Sequence, residues 1–220
     1  MKELSLVLKF IPLAFTALLP VINPIGSALL FLALVPESDH RTKKLMARRI
    51  AWNTIWFLAI VQITGSYVLR FFGISLPVVQ VAGGLVLATM GWVLLNKPDP
   101  EGNTSTPNRA FTEALRERIF YPLTFPITAG PGCIVVSLTL SAHASMPSLL
   151  DSALAHLGLF IGTVLACVIV YFSYAYADRI ELKLSPSITQ GVLRVISFIL
   201  VCIGGEIMWT GIQNLLKTIS

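Results

Sequence analysis

The chain has 220 residues, 55% of them hydrophobic and only 12% charged, with a mean hydropathy of +0.79 and a net charge of +5. An ordinary soluble domain is about 25% charged, so composition excludes a soluble globular enzyme and points to an integral membrane protein. A helix needs about 20 apolar residues to cross a bilayer core, and six stretches qualify, near 10–35, 50–72, 76–96, 119–142, 153–177 and 190–216.

The first stretch follows a lysine-flanked N-terminus. Its length, and its Pro12, Pro20 and Pro24, argue against a cleaved signal peptide. It carries Leu19-Pro20-Val21-Ile22-Asn23-Pro24-Ile25-Gly26, a proline–glycine interruption deep in apolar sequence. A proline inside a helix removes a donor and clashes with the preceding turn, at about 3 kcal/mol. In lipid such breaks persist only where they are buried in protein or line a cavity.

The second stretch carries Asn53 and Gln62, and the third carries Gly83-Gly84. A polar segment follows, about 97–118, whose beginning has linker composition. Thr106-Pro107 offers an N-cap and first-turn proline for a short cytoplasmic surface helix through Phe111, Leu115 and Ile119, with plain loop as the equal alternative. The fourth stretch holds a second interruption, Phe125-Pro126-Ile127-Thr128-Ala129-Gly130-Pro131-Gly132. Laid on the first, it aligns Pro126 with Pro20, Gly130 with Pro24 and Gly132 with Gly26. The sixth stretch carries Gly204-Gly205, which align with Gly83-Gly84, and Glu206.

Basic residues fall on alternate connections. Arg41, Lys43, Lys44, Arg48 and Arg49 follow the first stretch. Lys97, Arg109, Arg116 and Arg118 follow the third, and Arg179, Lys183 and Arg194 the fifth. Only Lys2, Lys9, Arg70 and Lys217 lie on the other side. The positive-inside rule then places both termini on the outer, periplasmic side of the cytoplasmic membrane. Cations that hug span ends in this way are topology signals, and no nucleic-acid partner is expected.

The expected fold is all-α and transmembrane, a single domain over 1–220. It comprises six helices as two inverted three-helix repeats: repeat 1 about 1–96, a cytoplasmic linker about 97–118, and repeat 2 about 119–220. The first and fourth helices are broken by proline and glycine. An odd number of spans per repeat forces opposite orientations, and a matched pair of broken spans points to a transporter's central site.

Unwinding at Asn23-Pro24-Ile25-Gly26 and at Ala129-Gly130-Pro131-Gly132 would yield half-helices. Their N-termini suit a carboxylate and their C-termini an ammonium group or a cation. The expected substrate-binding residues are Asn23, Pro24, Gly26, Ser27, Thr124, Thr128, Gly130, Pro131 and Gly132. Glu206, an acidic residue well inside a span, is the candidate for proton or ion coupling or for holding the substrate ammonium group, with a structural role beside Asn53 or Gln62 as the alternative. Gly83, Gly84, Gly204 and Gly205 suit close helix packing. Cys133, Cys167 and Cys202 read as packing residues, and His40, His143 and His156 show no ligand spacing. No hydrolase, zinc-protease or Walker motif is present, so neither an enzyme nor a cofactor is expected.

The motifs Asn23-Pro24-Ile25-Gly26 and Phe120-Tyr121-Pro122-Leu123-Thr124-Phe125-Pro126-Ile127-Thr128-Ala129-Gly130-Pro131-Gly132 resemble the paired signatures of the MarC family, grouped with SnatA-type neutral amino acid transporters. The resemblance covers nearly the whole chain. It implies a three-plus-three inverted repeat, substrate binding at the two breaks, and transport of small neutral amino acids such as glycine and alanine, coupled to a proton or sodium ion. Members often have a proline shortly after the first motif, where this chain reads Ser27-Ala28-Leu29-Leu30. The alternative function is a non-transporting membrane assembly or binding component.

Overall fold

Pro24 and Pro131 each sit at the first position of a helix, where a missing N–H costs nothing because it would have no intrahelical acceptor. This placement sets the helix boundaries in a computed structural model, which describes residues 2–35, 39–96, 119–179 and 186–219. The linker 97–118, with its expected surface helix, lies outside the described residues. The elements are α1 (Lys2–Ile22), α2 (Pro24–Leu34), α3 (His40–Phe71), α4 (Leu76–Leu95), the irregular α5 (Ile119–Thr128), α6 (Pro131–Ala144), α7 (Leu149–Ala175) and α8 (Pro186–Ile219).

Among the described residues, Leu4–Leu32, Leu76–Leu95, Leu149–Ala175 and Gln190–Lys217 are long and apolar enough to cross a membrane. The pair α5–α6, bent by 68°, makes a fifth if counted as one span. The expected second span is a continuous helix, α3, which is not among those four and whose first ten residues carry Arg41, Lys43, Lys44, Arg48 and Arg49. Its polar Thr54 and Gln62 are buried against other helices, and Trp52 and Trp56 face outward. Composition therefore understates how well α3 suits lipid.

Helices of the first half pack chiefly on helices of the second, with α4 on α8, α1 on α7 and α3 on α7. Glycines set the closest approaches. A Cβ on Gly84 would stand 2.5 Å from the Gly204 carbonyl, and one on Gly204 would stand 2.5 Å from the Ala88 nitrogen. Gly91 meets Ser197 and Val201, and Gly211 meets Pro77 and Gln80, so α4 and α8 run antiparallel. One displacement along the chain carries Pro77 onto Ser197, Gly84 onto Gly204 and Gly91 onto Gly211. The other two expected packing glycines differ. Gly83 faces Val135 of α6, and Gly205 has nothing within 4 Å. Adjacent residues on a helix point about 100° apart, so a glycine pair cannot serve one interface.

On α7, Gly158 packs against Val7 and Phe10 of α1, and Gly162 against Ile11 and Ala14, a small-xxx-small contact between parallel helices. The start of α3 meets the end of α7. There the Lys43 ammonium pairs with Asp178 at 2.6 Å, and Lys44 and Arg179 flank the Tyr176 ring. Lys43 is buried and Asp178 partly exposed, so losing the carboxylate leaves an uncompensated buried charge. Asp178→Asn is expected to destabilise by about 2 kcal/mol, below the 3–5 kcal/mol of a fully buried pair. Lys43→Met combined with it should recover most of that loss in detergent unfolding.

Candidate functional site

The first interruption is one residue wide. Asn23 adopts the left-handed conformation (φ 48°, ψ 66°), which asparagine tolerates better than most residues. Its side-chain oxygen accepts from the Gly26 N–H at 3.1 Å and caps α2. A Cβ on Gly26 would collide with that same Asn23 side chain. The motif thus reads as cap, first-turn proline, and a glycine that leaves room for the cap. Pro24, Ile25 and Gly26 are helical, so the expected unwinding over all four residues does not occur.

The second interruption is larger. Tyr121-Pro122-Leu123-Thr124 and Phe125-Pro126-Ile127-Thr128 form a tandem tetrapeptide whose aromatic residues are extended, each followed by a cis proline. Each threonine hydroxyl donates to a carbonyl five residues earlier, Thr124 to Ile119 at 3.1 Å and Thr128 to Leu123 at 2.7 Å. These bonds give two carbonyls of the irregular segment a side-chain donor. Gly130, extended (φ −77°, ψ −179°), then caps α6 ahead of Pro131. Asn23-Pro24 and Gly130-Pro131 are thus both a cap followed by a first-turn proline, one residue off the sequence alignment, which set Pro24 on Gly130. The two caps differ, Asn23 being left-handed with a side-chain bond and Gly130 extended without one.

The two breaks meet. The buried Ser27 hydroxyl lies 2.8 Å from the Ile22 carbonyl and 3.3 Å from the Ile127 carbonyl of the other break. Thr128 lies 2.8 Å from the Tyr174 hydroxyl of α7, which also interacts with Ser27. The Tyr174 ring stacks on Phe31 of α2, centroids 5.0 Å apart. Gly132 abuts Leu87 of α4 and Val21 of α1. Ser27, Thr124, Thr128, Gly132 and Pro24 are buried, Asn23, Gly26 and Gly130 half-buried, and Pro131 exposed. Four hydroxyl and carbonyl groups from both halves thus converge around one phenol, in a junction closed by protein.

Glu206 lies elsewhere. It is exposed and lines a cleft of about 180 Å³ with Ala17, Thr139 and Ile203, away from Ser27 and Thr128. Its expected partner Gln62 instead donates to Thr163 at 2.9 Å. Another cleft, about 250 Å³, runs between α3 and α7 past Trp52 and Tyr171. Tyr174 escaped the sequence reading. Tyr171, Tyr174 and Tyr176 share one span, and only packing separates the buried one from the others.

The family described as "MarC family integral membrane protein" matches residues 8–216. Curated relatives include "UPF0056 inner membrane protein MarC" of Escherichia coli O1:K1 / APEC, 28% identical, with 96% of this chain and 97% of the relative covered. The protein of that name from Shigella flexneri is 27% identical over the same shares. No solved structure matches the chain.

Proposed function

The chain belongs to the MarC family of integral membrane proteins, and from that premise we propose that it is a secondary transporter of small neutral amino acids, glycine and alanine among them. Relatives named as inner membrane proteins place it in the cytoplasmic membrane. The observation that carries the proposal is the meeting of the two breaks, Ser27 of one against the Ile127 carbonyl of the other, around Tyr174.

Helix directions favour six spans. α1 and α7 run parallel, α3 runs against α7, and α4 runs against α8. The α4–α8 contacts, exchanged by one displacement along the chain, are what an inverted repeat would leave at its axis. The Lys43–Asp178 pair brings the first and fifth connections to the same end, and the positive-inside rule supports reading that end as cytoplasmic, with both termini outside.

In this reading the closed junction is the occluded resting form. Rocking of α6 about Gly130 and of α2 about Asn23 separates Ser27 from Ile127. That frees hydroxyls and half-helix N–H groups for a carboxylate, and carbonyls for an ammonium group. No covalent chemistry and no cofactor take part. The alternative, a non-transporting assembly component, draws on the same closed junction and predicts that enlarging its glycines leaves function intact. Gly132→Val decides between them, since its side chain would press on Leu87 and Val21. Exchange of radiolabelled alanine in proteoliposomes should fall at least tenfold, about 1.4 kcal/mol of barrier. Wild-type vesicles as inert as empty ones toward a broad amino acid panel would end the transport reading.

A further inference from the structure

A second buried polar chain links α3, α6 and α7, and its protons can be counted. His156, half-buried in the second turn of α7, has its Nδ1 2.8 Å from the Ser152 carbonyl and its Nε2 3.2 Å from the Ser141 hydroxyl of α6. Ser141 in turn donates to the Gln62 carbonyl of α3 at 2.6 Å. Carbonyl oxygens only accept. Nδ1 therefore carries a hydrogen, and the single hydrogen of Ser141 is engaged by Gln62. A neutral imidazole then sets two acceptors, Nε2 and Ser141 Oγ, against each other. An imidazolium supplies the missing hydrogen and completes the chain from Ser152 through His156 and Ser141 to Gln62.

We propose that His156 is a proton-binding site whose protonated form ties α6 to both α3 and α7, and that, on the transport reading above, this is the coupling proton. Loss of the Nε2 proton leaves Ser141 one hydrogen for two acceptors, so α6 is held to α3 or to α7 but not to both. Because α6 begins at the Gly130 break, the proton state of His156 bears on the helix whose movement opens the junction. Ser137, one turn before Ser141 and wholly buried, has a hydroxyl without a partner among the described residues, and it extends the polar line from His156 toward that break.

His156 lies about 10 Å from the start of α7 at 1.5 Å per residue, within reach of the membrane surface. At the His156 end of the surrounding elements, the titratable or charged groups among the described side chains are Lys9 of α1, Tyr67 and Arg70 of α3, His143 of α6 and Asp151 of α7. Among the described contacts, none of them bonds the imidazole, whose partners are Ser141 and the Ser152 carbonyl.

The test is nuclear magnetic resonance of the full chain in detergent micelles with nitrogen-labelled histidine. The chain has 3 histidines, so His40→Gln and His143→Gln leave the His156 signal assigned by elimination. Spectra taken from about pH 5 to about pH 8, the range over which imidazoles as a class change charge, should show its doubly protonated form. Ser141→Ala should weaken its proton affinity about tenfold, the worth of one charge-assisted hydrogen bond, and leave His40 and His143 unmoved. A His156 ring that stays neutral across that range, or that ignores Ser141→Ala, overturns the proposal. In proteoliposomes, His156→Gln should keep alanine exchange but lose accumulation driven by a pH gradient. Gradient-driven accumulation equal to wild type rejects the coupling role. A wild type that moves no alanine rejects the transport reading, while the titration still decides the proton site.

Discussion

Gly204→Ala is expected to destabilise the protein by about 3 kcal/mol, while Gly205→Ala, one residue along, leaves stability unchanged or slightly raised. On Gly204 the new Cβ would stand 2.5 Å from the Ala88 nitrogen and 2.6 Å from the Gly84 carbonyl. Both are backbone atoms of a helix, which cannot rotate aside as a side chain does. Relief requires α4 and α8 to part along their length, and overpacking of this kind costs about 1–3 kcal/mol, here at the upper end. Helices in lipid gain no hydrophobic driving force from association and depend on close packing, so the loss is not offset elsewhere. Gly205 has nothing within 4 Å, and alanine there gains helix propensity of up to about 1 kcal/mol. Trp92 on α4 and Trp209 on α8 are outward-facing reporters of the same pair, so unfolding followed by tryptophan fluorescence in mixed micelles reads the outcome directly. Equal effects at the two glycines would mean that α4 and α8 do not approach as described.

That contrast shows what a sequence of this kind discloses. Both glycine pairs were visible, and Gly84 and Gly204 do form the closest contact between helices. Which member of each pair faces the partner depends on helix rotation, and nothing local to Gly204-Gly205 fixes that. The breaks were legible because proline and glycine act on their own backbone: Asn23-Pro24-Ile25-Gly26 encodes cap, first turn and clearance within four consecutive residues. The width of the break was not legible, since it depends on Asn23 accepting the left-handed conformation so that the helix resumes at Pro24. The second span shows the opposite failure. Gln62 and Thr54 lower its apolarity, yet both are turned inward, and partner Thr163 comes from α7.

Tyr174 and His156 were hidden for a shared reason. Each is one of several like residues, and each is singled out by partners distant along the chain. Thr128 lies 46 residues from Tyr174, and Ser141, 15 residues from His156, is fixed in turn by Gln62, 79 residues away. Glu206 drew attention as an acidic residue within a span, but lateral position in a bundle matters as much as depth. It lines a cleft at the flank of α1, α6 and α8, whereas the converging hydroxyls belong to α2, α5 and α7.

Thr128→Val should cost about 2 kcal/mol and Tyr174→Phe about 1 kcal/mol, and the double variant should be no less stable than Thr128→Val alone. The asymmetry follows from counting hydrogens. Thr128 donates its one hydroxyl hydrogen to the Leu123 carbonyl at 2.7 Å, so across the 2.8 Å contact Tyr174 is the donor. Removing that donor leaves Thr128 still bonded, and forfeits one ordinary hydrogen bond of about 1 kcal/mol. Removing the acceptor leaves a fully buried phenol hydroxyl short of its main partner and the Leu123 carbonyl short of its donor, which costs about 1–3 kcal/mol. Deleting both ends removes the stranded hydroxyl, so the losses do not add. The same cycle read by alanine exchange separates a gate from a mere support. A gate held shut by this bond opens more readily in Tyr174→Phe, whose exchange should rise about fivefold for 1 kcal/mol, while its stability falls. Exchange that declines in step with stability in every variant would leave Thr128 and Tyr174 as packing alone, with the moving contact elsewhere along the Ser27–Ile127 seam.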